Sequence, residues 1–163
     1  MKIRNVHSRR MPVPVQDAGR LLDLLGGPDD PLWPRKKWPA LRLDRPLGAG
    51  ARGGHGPIRY FVEEYLPGRR VTFRFERPGL IRGVHYFQVR PAETGCVLEH
   101  AIEAWPGWYG WLLWPVAVRW LHDALIEDAL DNAEKALTGA VPRPARWSPW
   151  VRWLRALAAR LGI

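Results

Sequence analysis

The sequence predicts an α+β domain: a curved antiparallel sheet with one dry face, a long helix near the C-terminus to cover it, and an extra amphipathic helix behind that. Three observations carry the prediction. From residue 58 to 104, apolar side chains recur with period two in runs separated by Pro-Gly and Gly turns. From about Gly107 the apolar period lengthens to that of a helix. After Gly139 a proline-rich break precedes a short segment in which apolar and arginine residues segregate at helical spacing.

The chain opens on a predicted strand, Ile3 to Met11, closed by Pro12 and Pro14. Pro14 suits the first turn of a helix, and Val15, Ala18, Leu21, Leu22 and Leu25 follow at helical spacing up to Gly26-Gly27. The stretch DDPLWPRKKWPA (29–40) holds too many prolines for a long helix and reads as an ordered loop or short helical turn carrying Trp33 and Trp38. Leu41 to Gly50 leads into GGHGP (53–57), whose glycines suggest a structural turn around His55.

Four strands are expected next. IRYFVEEYL (58–66) ends at Pro67-Gly68, and RRVTFRFER (69–77) alternates Val71, Phe73 and Phe75 against Thr72, Arg74 and Glu76. Arg82 to Arg90 groups His85, Phe87 and Val89, and Cys96 to Ala104 groups Leu98, His100 and Ile102. Short turns between consecutive strands make the meander antiparallel. Leu113, Ala117, Leu121, Leu125, Ala129 and Ala133 then set a helix over 107–137, kinked or started at Pro115 and stopped by Gly139. Asp123, Glu127 and Asp131, four apart on another face, read as a solvated stripe.

Residues 140–147 read as a linker. Ser148 and Pro149 then N-cap and begin a basic amphipathic helix, 148–163. Trp150, Trp153, Leu154, Leu157 and Leu161 share one side, while Arg152 and Arg155 lie opposite. This face must be covered by the domain itself, by a second subunit, or by an anionic membrane surface. Five of the nine net positive charges fall in 140–163. The basicity therefore belongs to the tail, and with no nucleic-acid-binding motif beside it no nucleic-acid partner is expected.

Several chemistries are excluded or unsupported. One cysteine, Cys96, rules out an internal disulfide framework and a multi-cysteine metal site. The only serines, Ser8 and Ser148, lack a nucleophile-elbow context, GGHGP lacks the Lys-Ser/Thr of a phosphate loop, and no HExxH occurs. The adjacent His122 and Asp123 are expected to face different partners. No cofactor or metal is expected. The N-terminus carries no signal-peptide core, and no apolar run reaches membrane-spanning length, so a cytoplasmic protein is expected, with peripheral membrane association through the tail as the added option.

The order strand, helix, loop, meander, long helix resembles the START/SRPBCC superfamily of helix-grip proteins, in particular uncharacterised bacterial members. The resemblance covers residues 1–139 and rests on three pieces: PVPVQDAGRLLDLL, GGHGPIRYFVEEYLPGRRVTFRF and WLHDALIEDALDNAEKAL. It implies a cavity between the sheet and the long helix, and binding or transfer of an apolar or aromatic small molecule or lipid. The relatives include polyketide cyclases, so the resemblance also implies a cyclase/aromatase-like or hydrolase-like alternative in which cavity histidines move protons. A third reading is a membrane-associated accessory protein acting through the tail.

The residues expected to line the cavity are Tyr60, Phe73, His85, Phe87 and His100. If their strands pair, the two imidazoles come close inside the grip, where they could orient a carbonyl or phenol or shuttle a proton. Trp105, Trp108, Trp111 and Trp114, with Tyr109, recur every three residues where the helix begins. Four such rings exceed what core packing needs and suggest a cavity mouth or an interface.

Overall fold

In a computed structural model of the chain, which describes residues 2–76 and 79–161, strands β1 (Ile3–Met11), β2 (Arg42–Leu43), β3 (Arg52–His55), β4 (Ile58–Leu66), β5 (Arg70–Phe75), β6 (Ile81–Pro91) and β7 (Cys96–Pro106) form one sheet. The order is β1-β7-β6-β5-β4-β3-β2, with every pairing antiparallel. The meander runs β2 to β7, and β1 returns to close the far side. The Pro78 half of the expected Pro78-Gly79 turn lies outside the described residues. In β4 the register shifts between Val62 and Glu64, a bulge that bends the strand and helps the sheet curl.

Helix α1 (Val15–Asp23) packs Ala18, Leu21 and Leu22 onto the sheet. At the other end of the chain α2 (Gly110–Leu113), a π-helical turn (Trp114–Val118) and α3 (Arg119–Thr138) run on without a break. Pro115 explains the π turn: it has no N–H to donate, and its ring would clash with the carbonyl one turn back. Gly139 caps α3 with φ 82°, a left-handed geometry that disfavours any side chain.

The apolar stripe of α3, including Leu125, Ile126, Ala129, Leu130 and Ala133, lies buried against the sheet's inner face, where Val62, Val71, Phe73, Phe87, Val89 and Leu98 are also buried. A smaller cluster of Ile3, Ile81, Ile102, Ala104 and Trp114 gathers under the π turn. The α+β helix-grip arrangement is therefore the one expected.

The acidic stripe of α3 is not a solvated face. His7 and Arg9 project from β1 toward it. Arg9 binds Glu134, Asp131 (3.0 Å) and Glu127 (3.2 Å), and His7 binds Glu127 (2.7 Å) and Asp123 (3.1 Å). Helical spacing placed the three acids on one face, but only the pairing of β1 with β7 sets basic residues opposite them.

The tail forms α4 (Pro149–Arg160), and the Ser148 hydroxyl accepts from the Val151 N–H at 3.2 Å, the expected cap. Val151 and Leu154 are buried, while Trp150, Trp153, Leu157 and Leu161 stay exposed. The expected apolar face is thus split: only Leu154 at its edge packs inward, and its centre faces outward. Asp128 of α3 secures the segment before α4. Its Oδ2 accepts from the indoles of Trp38 (2.8 Å) and Trp147 (2.9 Å), and its Oδ1 accepts from Lys37 (2.6 Å). Ala145 N–H donates to Asp131 at 2.7 Å.

Candidate ligand cavity

The main core and the cluster under the π turn meet through Phe75 but do not merge. Between them lies a cavity of about 360 Å³. Its floor is sheet, with His85, His100 and Ile102, and its roof is helix, with Trp114, Leu121, His122, Leu125 and Ile126. The loop residues Trp33, Trp38 and Pro39 wall one side, and Arg155 and Ala158 of α4 complete the lining. The loop holds its shape because Asp30 accepts from the N–H groups of Gly26, Leu32 and Trp33 at 2.8–3.0 Å. Floor residues are buried, whereas Pro57 and Leu113 are exposed and Ile58, Leu80, Tyr109, Val118, Arg155 and Ala158 are half-buried, so the open side runs from the β3–β4 turn past α2 and the π turn to α4.

Four of the five histidines in the chain line this space: His55, His85, His100 and His122. The fifth, His7, stands behind His122 with ring centroids 6.0 Å apart. His85 Nδ1 and His100 Nε2 are 3.3 Å apart, and the His100 and His122 rings are 5.0 Å apart. His85 Nε2, His100 Nδ1 and both nitrogens of His122 find no hydrogen-bond partner among the described residues. A buried polar atom without a partner costs about 1–3 kcal/mol, so such a group in a cavity wall is one a ligand can satisfy.

Burial is the main influence on these rings. It holds His85 and His100 well below the ordinary imidazole value, with the neighbouring His122 and other histidines adding repulsion. It also lowers His122, against an opposing pull from Asp123, and brings His55 down to about 3. All four are therefore neutral at pH 7. His7 behaves oppositely. Burial opposes its charge, but the hydrogen bonds and charges of Asp123 and Glu127 outweigh that and raise it to about 9. The ring is a cation clamped between two carboxylates, outside the cavity.

The other residues expected at the wall stand one layer behind it. Tyr60 meets the His85 ring edge-on at 4.9 Å, Phe73 stacks on His85 at 5.0 Å, and Phe87 meets His100 edge-on at 4.6 Å. They support the imidazoles instead of touching the space. His55 is no simple turn residue: it ends β3, stacks on Trp33 at 4.9 Å and lines the cavity. His122 and Asp123, expected to face different partners, both crowd around His7, with His122 Nδ1 3.6 Å from Asp123 Oδ1. The alternation of β6 and β7 was the signal for His85 and His100. No comparable signal marks His55 or His122, which meet the pair only in three dimensions.

Residues 11–138 match the family described as polyketide cyclase/dehydrase and lipid transport. The chain belongs to that family. Solved structures share its fold, including CalU16 from Micromonospora echinospora (18% identity, 98% of this chain and 85% of that one, TM-score 0.58). Another is a conserved protein of unknown function from Enterococcus faecalis (13% identity, 98% and 84%, TM-score 0.58). Truncated norcoclaurine synthase from Thalictrum flavum is similar too (12% identity, 83% and 93%, TM-score 0.61). A search of curated proteins finds no match by sequence. At these identities the likeness carries the fold alone. In this polyketide cyclase/lipid-transport family member the neutral histidine wall must be read from its own geometry.

Proposed function

We propose that the protein binds one apolar or aromatic small molecule, or one lipid chain, in the cavity under α3, and carries it unchanged. The observation that supports this reading best is the wall itself. It is apolar almost throughout, and its free polar groups are neutral imidazole nitrogens. Its volume falls in the lower part of the range of about 300–1,000 Å³ usual for small-molecule pockets. A molecule with one carbonyl, phenol or similar group could satisfy a histidine nitrogen while its apolar body fills the remainder. A cationic ligand would meet no counter-charge in the lining, whose histidines are neutral and whose charged side chain is Arg155 at the mouth.

A second reading, proton transfer of the cyclase kind, draws on the convergence of His85, His100 and His122 on one space. A general base works best with a pKa near the working pH. Burial holds these imidazoles below that, which favours hydrogen bonding to a bound molecule over proton abstraction from it. Native mass spectrometry of the purified protein separates the readings. A co-purified molecule released with the same mass after prolonged incubation supports carriage. Release of a product of altered mass supports chemistry. A protein that retains no small molecule and takes up none from an apolar extract overturns both.

A further inference from the structure

The elements that form the cavity mouth present a different surface on their outer side. Trp114 and Val118 turn toward the cavity, whereas Trp108 is 81% exposed, Trp111 66% exposed, and Leu112 and Val116 are exposed beside them. Helix α4 extends the same surface. The Trp150 indole donates to the Val116 carbonyl at 3.0 Å, and Trp153 stacks on Trp150 with centroids 4.9 Å apart and planes at 13°. Trp153, Leu157 and Leu161 remain open to solvent. Isolated exposed apolar residues need no explanation, but a gathering of this size marks an interaction surface. Its charge is predominantly positive. Arg152 and Arg160 of α4 and Arg119 at the end of the π turn are exposed, Arg119 lying 3.5 Å from Asp123, and residues 104–122 and 149–161 contain no Asp or Glu.

We propose that this face docks on an anionic lipid bilayer, with the tryptophans in the headgroup layer, the arginines against lipid phosphates, and the cavity mouth held at the membrane surface. Tryptophan suits this layer because its ring is apolar and its N–H is polar. The positive charge of α4 argues against a second copy. A two-fold interface sets a patch against itself, which here would bring the arginines of α4 together with no acid on that helix between them. The same elements line the mouth and carry the exposed tryptophans, so docking would let a ligand pass between bilayer and cavity with little exposure to water. This goes beyond ligand binding, and neither property requires the other.

The test is co-sedimentation of the full chain with vesicles of phosphatidylcholine alone and of phosphatidylcholine mixed with phosphatidylglycerol. Three proteins are compared: the native chain, Trp108→Ser/Trp111→Ser, and Arg152→Gln/Arg160→Gln. None of the four residues lines the cavity, so circular dichroism and binding of an apolar probe should be unchanged in both variants. A lost interaction with vesicles then cannot be confused with a lost cavity. The expected result is partitioning onto the anionic vesicles that weakens with salt. It should fall roughly fivefold for each arginine removed and about tenfold or more for the tryptophan pair. No preference for anionic vesicles, or equal partitioning of all three proteins, overturns the proposal. So does a native chain that ignores vesicles but self-associates through these tryptophans in sedimentation analysis.

Discussion

His85 Nδ1 lies 3.3 Å from His100 Nε2 across the β6–β7 pair, with both rings buried. Neutral imidazole carries one N–H, so one ring donates and the other accepts between them. Whichever way the proton lies, the outer nitrogens, His85 Nε2 and His100 Nδ1, present one donor and one acceptor. The pair is therefore able to meet a carbonyl or a hydroxyl equally well, by exchanging tautomers.

Replacing one ring breaks this symmetry. His85→Phe or His100→Phe fits among aromatic neighbours but strands the inner nitrogen of the other ring, and should cost about 1–3 kcal/mol in chemical denaturation. The double replacement removes both polar groups and should cost less than the two singles added together. It should also weaken ligands that carry a carbonyl or phenol more than plain hydrocarbons. Strictly additive costs would show that the rings do not interact.

Stability should depend on pH with two opposed limbs. His55, His85, His100 and His122 are depressed below 6.5 in the folded state, so the unfolded chain takes up protons that the folded chain refuses. Their contribution is whole above about pH 6.5 and is lost as the medium acidifies. Asp123 and Glu127, both lowered, add to the acid limb below the carboxylate range. His7, raised to about 9, contributes fully below 6.5 and loses its contribution as pH climbs through 9. The melting temperature should therefore peak near neutrality. His7→Gln should flatten the alkaline limb and, by removing a partner that lowers Glu127 and Asp123, make the carboxylate part of the acid limb shallower, leaving the part set by the cavity histidines. An unchanged melting temperature between about pH 7 and 5 would contradict neutral buried histidines.

Asp128 should be sensitive in a graded way. Asp128→Ala leaves the indole N–H groups of Trp38 and Trp147 without their acceptor, at about 1–3 kcal/mol for the buried Trp38 donor and less for the half-buried Trp147. Asp128→Asn should be mild. Both indoles donate to the same oxygen, Oδ2, which an amide oxygen can replace, and Lys37 is exposed enough to turn to water. Hydrogen exchange across 145–161 should quicken in the Ala variant far more than in the Asn variant. Equal effects would mean that charge, not the two indole bonds, holds the tail.

Much of the fold was legible because period-two alternation and turn residues are local. β1 and β4 fall where the pattern placed them, and β5, β6 and β7 within about two residues. β3 was not legible. It contains Gly53 and Gly54, residues that normally argue against a strand, yet a Cβ on Gly53 would lie 1.9 Å from the Arg42 carbonyl. Glycine is there for the close approach of β2. The site was half legible for a related reason. Alternation put His85 and His100 on one face, but the β1–β7 pairing that sets His7 opposite His100 joins the first and last strands of the sequence. Nothing local encodes it. The tail helix was legible as a helix but not in its rotation, because its Trp150 indole serves the Val116 carbonyl of the π turn and Trp153 the surface, not the core.

The measurement that bears most directly on the central claim is a titration of the protein with the neutral apolar fluorophore 1-aminoanthracene, alongside a Val118→Trp variant that fills the cavity from its roof. Val118 lines the cavity and is only half-buried, so the larger ring has room to enter without unfolding α3. The account predicts saturable binding of one probe per chain in the native protein, and its loss in a Val118→Trp protein whose circular dichroism is unchanged. Probe binding that does not saturate, or that survives the filling of the cavity, would contradict it.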